Sequence, residues 1–181
     1  MAALKVPVTE TDHIRGPMNA PSTLVEYGDY ECPFCGAAYP VVELVRKHFG
    51  NRLRFVFRHF PLIEVHPHAE AAAESAEFGG AHGMFWEMHD SIYQNQQALG
   101  LPLLLSLAGA LGLSETELRE ALHAGTYRPK VRADFLGGVR SGVTGTPTFF
   151  VDGHRHEGSF DFDSLVTSIE RSLSRVKVAL S

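Results

Sequence analysis

The chain has two cysteines, Cys32 and Cys35, and they stand in one C-x-x-C, Cys32-Pro33-Phe34-Cys35. A secreted disulfide scaffold uses more cysteines at wider spacing. A structural zinc site takes four ligands, so the pair would supply half of one. The spacing suits two thiols that close a local disulfide, and the chemistry that follows is thiol–disulfide exchange. An inert buried pair and half a metal site are the alternatives. The attacking species in exchange is a thiolate, and an unperturbed cysteine at neutral pH is mostly protonated. Cys32 precedes the first turn of a predicted helix, where unpaired N–H groups and the positive end of the helix dipole face its sulfur. Cys35 lies one turn deeper. The expectation is an exposed, attacking Cys32, its acidity raised by the dipole, and a resolving Cys35. Asp29 and Glu31 oppose the thiolate, but the dipole is closer and less screened and should win.

Other residues invite chemistry less directly. Among the ten histidines, His66 and His68, and His154 and His156, are i, i+2 pairs that could share a face of a strand. No carboxylate or thiol completes a ligand set by spacing, so they read as solvated loop or edge residues and no metal site is predicted. Phe85, Trp86 and Met88 read as helix core rather than a cofactor box.

The thiols need a strand and a helix to hold them. Ser22–Tyr27 is β-prone and mostly apolar, Gly28 to Glu31 is a turn, and Cys32-Pro33 opens a helix with Pro33 suited to its first position. Val41, Leu44, Val45 and Phe49 continue that helix, Pro40 should kink it, and Gly50-Asn51 closes it. Arg52–Arg58 alternates as a second strand, completing a βαβ unit. From about Pro67 to Arg140 the signals are helical. The expected stripes are Ala69, Ala72, Ala73 and Ala76 (ending at Gly79-Gly80); Phe85, Met88, His89 and Ile92; Leu103, Leu104, Leu107 and Leu111; Leu118, Ala121 and Leu122; and Val131, Phe135, Leu136 and Val139. Ser114 to Glu117 is a capping box and Gly125 a helix stop. Thr148–Val151 is a strand, Asp152-Gly153 a hairpin turn, and His154–Glu157 the returning strand. Leu165, Ile169, Leu173 and Val176 mark a terminal helix.

The expected organisation is an irregular lead-in over 1–21, with room for a short edge strand, an α/β domain over 22–66 and 126–176, and a helical insertion over 67–125. At 181 residues, with 44% apolar and 20% charged residues, the chain can bury a core without staples. Its net charge of −5, with no basic block, argues against nucleic acid as a partner. The apolar stretch Leu99 to Leu113, broken by Gly100, Pro102, Ser106, Gly109 and Gly112, is too short for membrane insertion. The first residues lack a basic start followed by an apolar run, so the expected location is cytoplasmic. A periplasmic or secreted protein whose leader was replaced by Met1 is the alternative.

The stretch Tyr27-Gly28-Asp29-Tyr30-Glu31-Cys32-Pro33-Phe34-Cys35 resembles the active-site segment of DsbA-like proteins of the thioredoxin superfamily. Gly145 to Gly153 (Gly-Thr-Pro-Thr-Phe-Phe-Val-Asp-Gly) is similar to the same family's cis-proline loop and following hairpin. The resemblance covers residues 14–174. It implies a thioredoxin-like α/β fold (βαβ plus ββα) with an all-helical insertion. It also implies a dithiol–disulfide oxidoreductase acting on protein or peptide thiols through Cys32 and Cys35, with a separate redox-recycling partner and no metal, nucleotide or flavin cofactor. It further implies that Pro147 is cis, leaving Thr146 to pair with an extended substrate, and that Glu26 relays protons to the resolving thiol. A solvated Glu26 on a strand edge is the alternative to that role. DsbA itself carries His at the position of Phe34. Without that cation the disulfide should be a weaker oxidant, between DsbA and thioredoxin. Phe34, with Pro33 and Tyr30, would instead offer an apolar rim to substrates. The rival functions are a redox-controlled binding module without turnover and a glutathione-linked isomerase or transferase of the same fold. The intact cysteine pair argues against the second.

Overall fold

The structure, a computed structural model, describes residues 3–179, with side chains as far as Arg175; Met1 and the Val176 side chain lie outside the described residues. In chain order the elements are β1 (His13–Arg15), β2 (Ser22–Gly28), α1 (Pro33–Phe49), β3 (Leu53–His59), α2 (Ala69–Ala81), α3 (Phe85–Gln94), α4 (Leu101–Ala110), α5 (Glu115–Ala124), α6 (Arg128–Arg140), β4 (Thr148–Val151), β5 (His154–Arg155) and α7 (Phe162–Ala179). They fall into two compact units. Among the described residues, one comprises 3–27, 37–58 and 137–179; the other comprises Gly28–Gly36 and His59–Leu136.

The first unit is built on a sheet of order β1-β3-β2-β4-β5. β1 runs antiparallel to β3, β2 to β4, and β4 to β5. The edge strand anticipated in the lead-in is β1. β2 is buried along most of its length, its polar Ser22 and Glu26 included. Asp152 and Gly153 both take positive φ, 47° and 81°, as a two-residue hairpin of this twist demands. Asp152 also accepts the Thr23 N–H at 2.6 Å and the Ser22 hydroxyl at 2.8 Å, which fixes the hairpin to β2. β5 is assigned only to His154–Arg155, short of the expected Glu157, although the His156 N–H still donates to the Phe149 carbonyl of β4 at 2.9 Å. Leu165, Ile169 and Leu173 are the buried stripe of α7, which packs on β4.

The lead-in is pinned by a buried arginine. Arg58 on β3 forks onto Asp12 at 2.7 and 3.0 Å and donates to the carbonyls of Val6 and Pro7 and to the Tyr27 hydroxyl. Burial pulls its acidity the other way, but the bonds to Asp12 and Tyr27 win and hold the guanidinium above the ordinary arginine range.

The second unit is mainly helical. Ser114 caps α5 by accepting the Glu117 N–H at 3.2 Å, and Gly125 ends it in the left-handed region at φ 65°. The alanine face of α2 is buried as expected, but so are Glu74, Ser75 and Glu77. In α4, Leu104 is buried as expected, but its buried companions are Leu105 and Ala108, while Leu103, Leu107 and Leu111 are half-buried. A helix apolar on nearly every side gives periodicity little to choose between. In α5, Leu118 is buried, whereas Ala121 and Leu122 are only half-buried. In α6, Val131 is buried as expected and Phe135 is half-buried, but Leu136 and Val139 are 45% and 50% exposed and Asp134 faces inward. Asp134 earns its inward place by accepting the His59 N–H at 3.2 Å and the Lys130 ammonium at 2.6 Å.

Candidate active site

β2 ends at Gly28, and the chain turns through Asp29, Tyr30 and Glu31 into α1. Cys32 occupies the N-cap of that helix: its carbonyl accepts the first intrahelical bond, from the Gly36 N–H at 3.0 Å. Pro33 is the first helical residue, where it lacks an N–H that would have no intrahelical partner. No acidic residue lies in the first turn, so no carboxylate there offsets the positive end of the dipole. Cys32 is 4% exposed and Cys35 is fully buried. The expected order of accessibility therefore holds, but Cys32 is a buried residue rather than an exposed one. Its backbone is drawn inward by bonds on both sides, its N–H to the Asp29 carbonyl at 3.2 Å and its carbonyl to the Gln96 side chain. Cys35 Sγ accepts the Asp29 N–H at 3.4 Å.

Three side chains from beyond the turn hold it in place. Gln96 Nε2 donates to the carbonyls of Tyr30 and Cys32, each at 2.8 Å. Its amide fills the space above Gly36, where any Cβ would collide with it. The Tyr30 hydroxyl meets His89 Nδ1 at 2.8 Å, and its ring lies 4.9 Å from that of Tyr93. Tyr30 is therefore buried and offers no rim to a substrate; only Pro33 and Phe34, the latter 64% exposed, remain on the surface of the motif. His66 Nδ1 is 2.7 Å from Asp29 Oδ2, so this histidine is an anchored residue and not a solvated one. Glu31 is likewise engaged, accepting the His68 N–H at 2.6 Å. The two carboxylates expected to oppose a thiolate are thus both turned onto N–H donors.

Sequence spacing pointed to none of Gln96, His89 or His66 as partners of the turn. The one available signal was Gly36. Glycine costs about 1 kcal/mol relative to alanine inside a helix, so its presence there marks a close approach by something else.

The remaining expected site residues belong to the sheet unit. Glu26 is a buried residue of β2, not a solvated one, and it pairs in register with Phe149 of β4. The Thr146–Pro147 peptide is cis, and it leads directly into β4, where Thr148 pairs with Tyr27. The Thr148 hydroxyl closes this loop on the Gly145 carbonyl at 2.7 Å. The sheet thus brings Glu26 and the Pro147 loop onto neighbouring strands. His154 is exposed on β5, and His156 is held by Ser168 and the Ser159 carbonyl, each at 2.8 Å.

Residues 8–171 match the family described as Thioredoxin. The chain belongs to the thioredoxin family. Solved structures of DsbA-like proteins share its fold. BdbD from Bacillus subtilis (oxidised) superposes with a TM-score of 0.86 at 24% identity, covering 96% of this chain and 98% of that one. Alpha-DsbA1 of Wolbachia pipientis superposes at 0.83 and 18% identity, covering 98% of each chain. The catalytic domain of Proteus mirabilis ScsC gives 0.77 at 17% identity, covering 90% and 89%. Among curated proteins, the Na(+)/H(+) antiporter NhaA 1 of Salinispora arenicola is 44% identical over 176 residues, which is 97% of this chain and 27% of that protein. The Na(+)/H(+) antiporter NhaA of Herminiimonas arsenicoxydans is 41% identical over 163 residues, 90% of this chain and 26% of that protein. The chain spans about a quarter of the length of the curated relatives it matches. No helix among the described residues is long and apolar enough to cross a membrane.

Proposed function

We propose that the chain exchanges disulfides with protein or peptide thiols through Cys32 and Cys35. The observation that carries this reading is Cys32 at the N-cap of α1, with no acidic residue in the first turn and Cys35 one turn deeper. Main-chain N–H groups at a helix start favour a thiolate over a thiol. The Cys32 thiolate attacks one sulfur of a substrate disulfide, forming a mixed disulfide and expelling the first substrate thiolate. Cys35 then loses its proton and attacks Cys32 Sγ. The Cys32–Cys35 bond forms, the second substrate thiolate leaves, and two electrons have passed from the dithiol to the substrate. The two substrate thiolates take up the protons. Run backwards, the same steps oxidise a substrate dithiol.

In this mechanism Glu26 carries the Cys35 proton, Pro147 and Thr146 present an extended substrate backbone, and Pro33 and Phe34 give it an apolar surface. With Phe34 between the cysteines, the pair is a milder oxidant than DsbA and a stronger one than thioredoxin. A separate recycling partner restores its resting state. In a reducing compartment such as the cytoplasm it rests as a dithiol and reduces or isomerises substrates; in an oxidising one it donates its disulfide. The antiporter relatives are matched over a quarter of their length, and the thioredoxin family supports thiol chemistry, not antiport, for this segment.

Turnover in an insulin-reduction assay with excess dithiothreitol tests the reading. Cys32→Ser should abolish it, and Cys35→Ser, mixed with a disulfide substrate without dithiothreitol, should accumulate a mixed disulfide on Cys32. A protein without turnover whose partner binding changes with oxidation state would be a redox-controlled binding module. Full activity in Cys32→Ser would refute the assignment.

A further inference from the structure

The loop between β3 and α2 is bonded onto the redox turn through one buried carboxylate. Asp29 Oδ1 accepts the Glu31 N–H at 2.8 Å, and Oδ2 accepts the Leu62 N–H at 2.8 Å and meets His66 Nδ1 at 2.7 Å. An ionised carboxylate only accepts, so against it Nδ1 is the donor whether the ring is neutral or protonated. The Asp29 side chain is fully buried and His66 is 18% exposed. The main chain of the same aspartate reaches both cysteines: its carbonyl accepts the Cys32 N–H at 3.2 Å, and its N–H donates to Cys35 Sγ at 3.4 Å.

We propose that His66 is a positioning residue for the thiol pair. By donating to Asp29 it compensates the buried carboxylate and keeps the Asp29 N–H on the Cys35 sulfur, and so sets the reduction potential of the Cys32–Cys35 couple. The inference rests on the thiol–disulfide reading above. Two effects act in the same direction when the donor is removed. An N–H bond to sulfur strengthens as the sulfur gains charge, so it favours the reduced pair over the disulfide. A less compensated carboxylate beside the turn disfavours a thiolate. Loss of the His66 donor therefore weakens the reduced form and makes the pair a weaker oxidant.

The experiment is a glutathione titration of the full chain, quenched by acid, with the Cys32–Cys35 disulfide quantified by alkylation and mass spectrometry. His66→Ala should shift the equilibrium about tenfold toward the protein disulfide, equivalent to a potential about 30 mV more negative. His66→Asn places a side-chain N–H near the Nδ1 position and should recover most of that shift. Asp29→Asn removes the charge while leaving an acceptor for His66, and should move the equilibrium the opposite way. If His66→Ala does not fold, the His66→Asn and Asp29→Asn comparison still stands: near wild type for the first and less negative for the second. A merely structural role for His66 would lower the melting temperature without opposed shifts in potential. Coincident His66→Ala and wild-type midpoints, or His66→Ala and Asp29→Asn moving together, would overturn the proposal while leaving the thiol–disulfide reading intact. A wild-type chain that forms no reversible disulfide would overturn both.

Discussion

Replacing an interior helical glycine by alanine ordinarily stabilises a protein by about 0.5–1 kcal/mol. At Gly36 the sign should reverse. A Cβ there would overlap Gln96 Oε1 and lie 2.8 Å from Gln96 Cδ, so the amide has to leave. Leaving breaks its two bonds to the carbonyls of Tyr30 and Cys32. At about 0.5–1.5 kcal/mol each, their loss costs roughly 1–3 kcal/mol. Set against the propensity gain, Gly36→Ala should destabilise by up to roughly 2.5 kcal/mol, or at the least lose its usual stabilisation. Gln96→Ala alone should cost roughly 1–3 kcal/mol. In the Gln96→Ala background the obstruction is gone, and Gly36→Ala should then stabilise by its usual about 0.5–1 kcal/mol. Urea denaturation of the four proteins, all kept reduced, closes the double-mutant cycle. If Gly36→Ala stabilises the wild-type chain as much as it stabilises Gln96→Ala, the amide does not clamp the turn and the reasoning fails.

Asp12→Ala would leave the Arg58 guanidinium buried with its charge uncompensated, at a cost of roughly 3–5 kcal/mol in urea denaturation; a loss under 1 kcal/mol would mean the lead-in is not held by this pair. Glu74 is 2% exposed on α2, and burial pushes its carboxyl up from the ordinary value against the pull of Arg128. Because the folded state then binds the proton more tightly than the unfolded one, stability attributable to Glu74 falls as pH rises from the usual glutamate range through the raised value. Glu74→Gln should remove that decline and gain about 1 kcal/mol at neutral pH, since the isosteric amide carries no charge to desolvate at this buried position. Thermal melts between pH 4 and pH 7 check it, and parallel curves for the two proteins would count against it.

Local signals in the sequence located the helix start, the thiol pair and the hairpin because each depends on residues next to one another. Cys32-Pro33 falls at a helix start for reasons internal to those two residues, and Asp152-Gly153 suits its turn wherever it stands. Ser114 and Gly125 bracket α5 for the same kind of reason. The failures share a different cause. Spacing and apolarity point Leu136 and Val139 inward, yet an inward place on α6 belongs to Asp134, which accepts the distant His59 N–H. Tyr30 looked like a surface aromatic beside the thiols and is buried because His89, 59 residues away, takes its hydroxyl. His66 lost its expected solvation to Asp29 in the same way. A polar residue's long-range partner leaves no periodic trace, so the parts of the site that depend on such partners were illegible.

The most direct measurement is the rate at which Cys32 is alkylated as a function of pH, in the reduced chain, resolved from Cys35 by mass spectrometry. A helix start that stabilises the thiolate places the midpoint of that profile clearly below the value of about 8.5 for a simple thiol. A midpoint at or above that value would mean that burial outweighs the dipole at Cys32, and the sulfur taken here as the nucleophile would not be one.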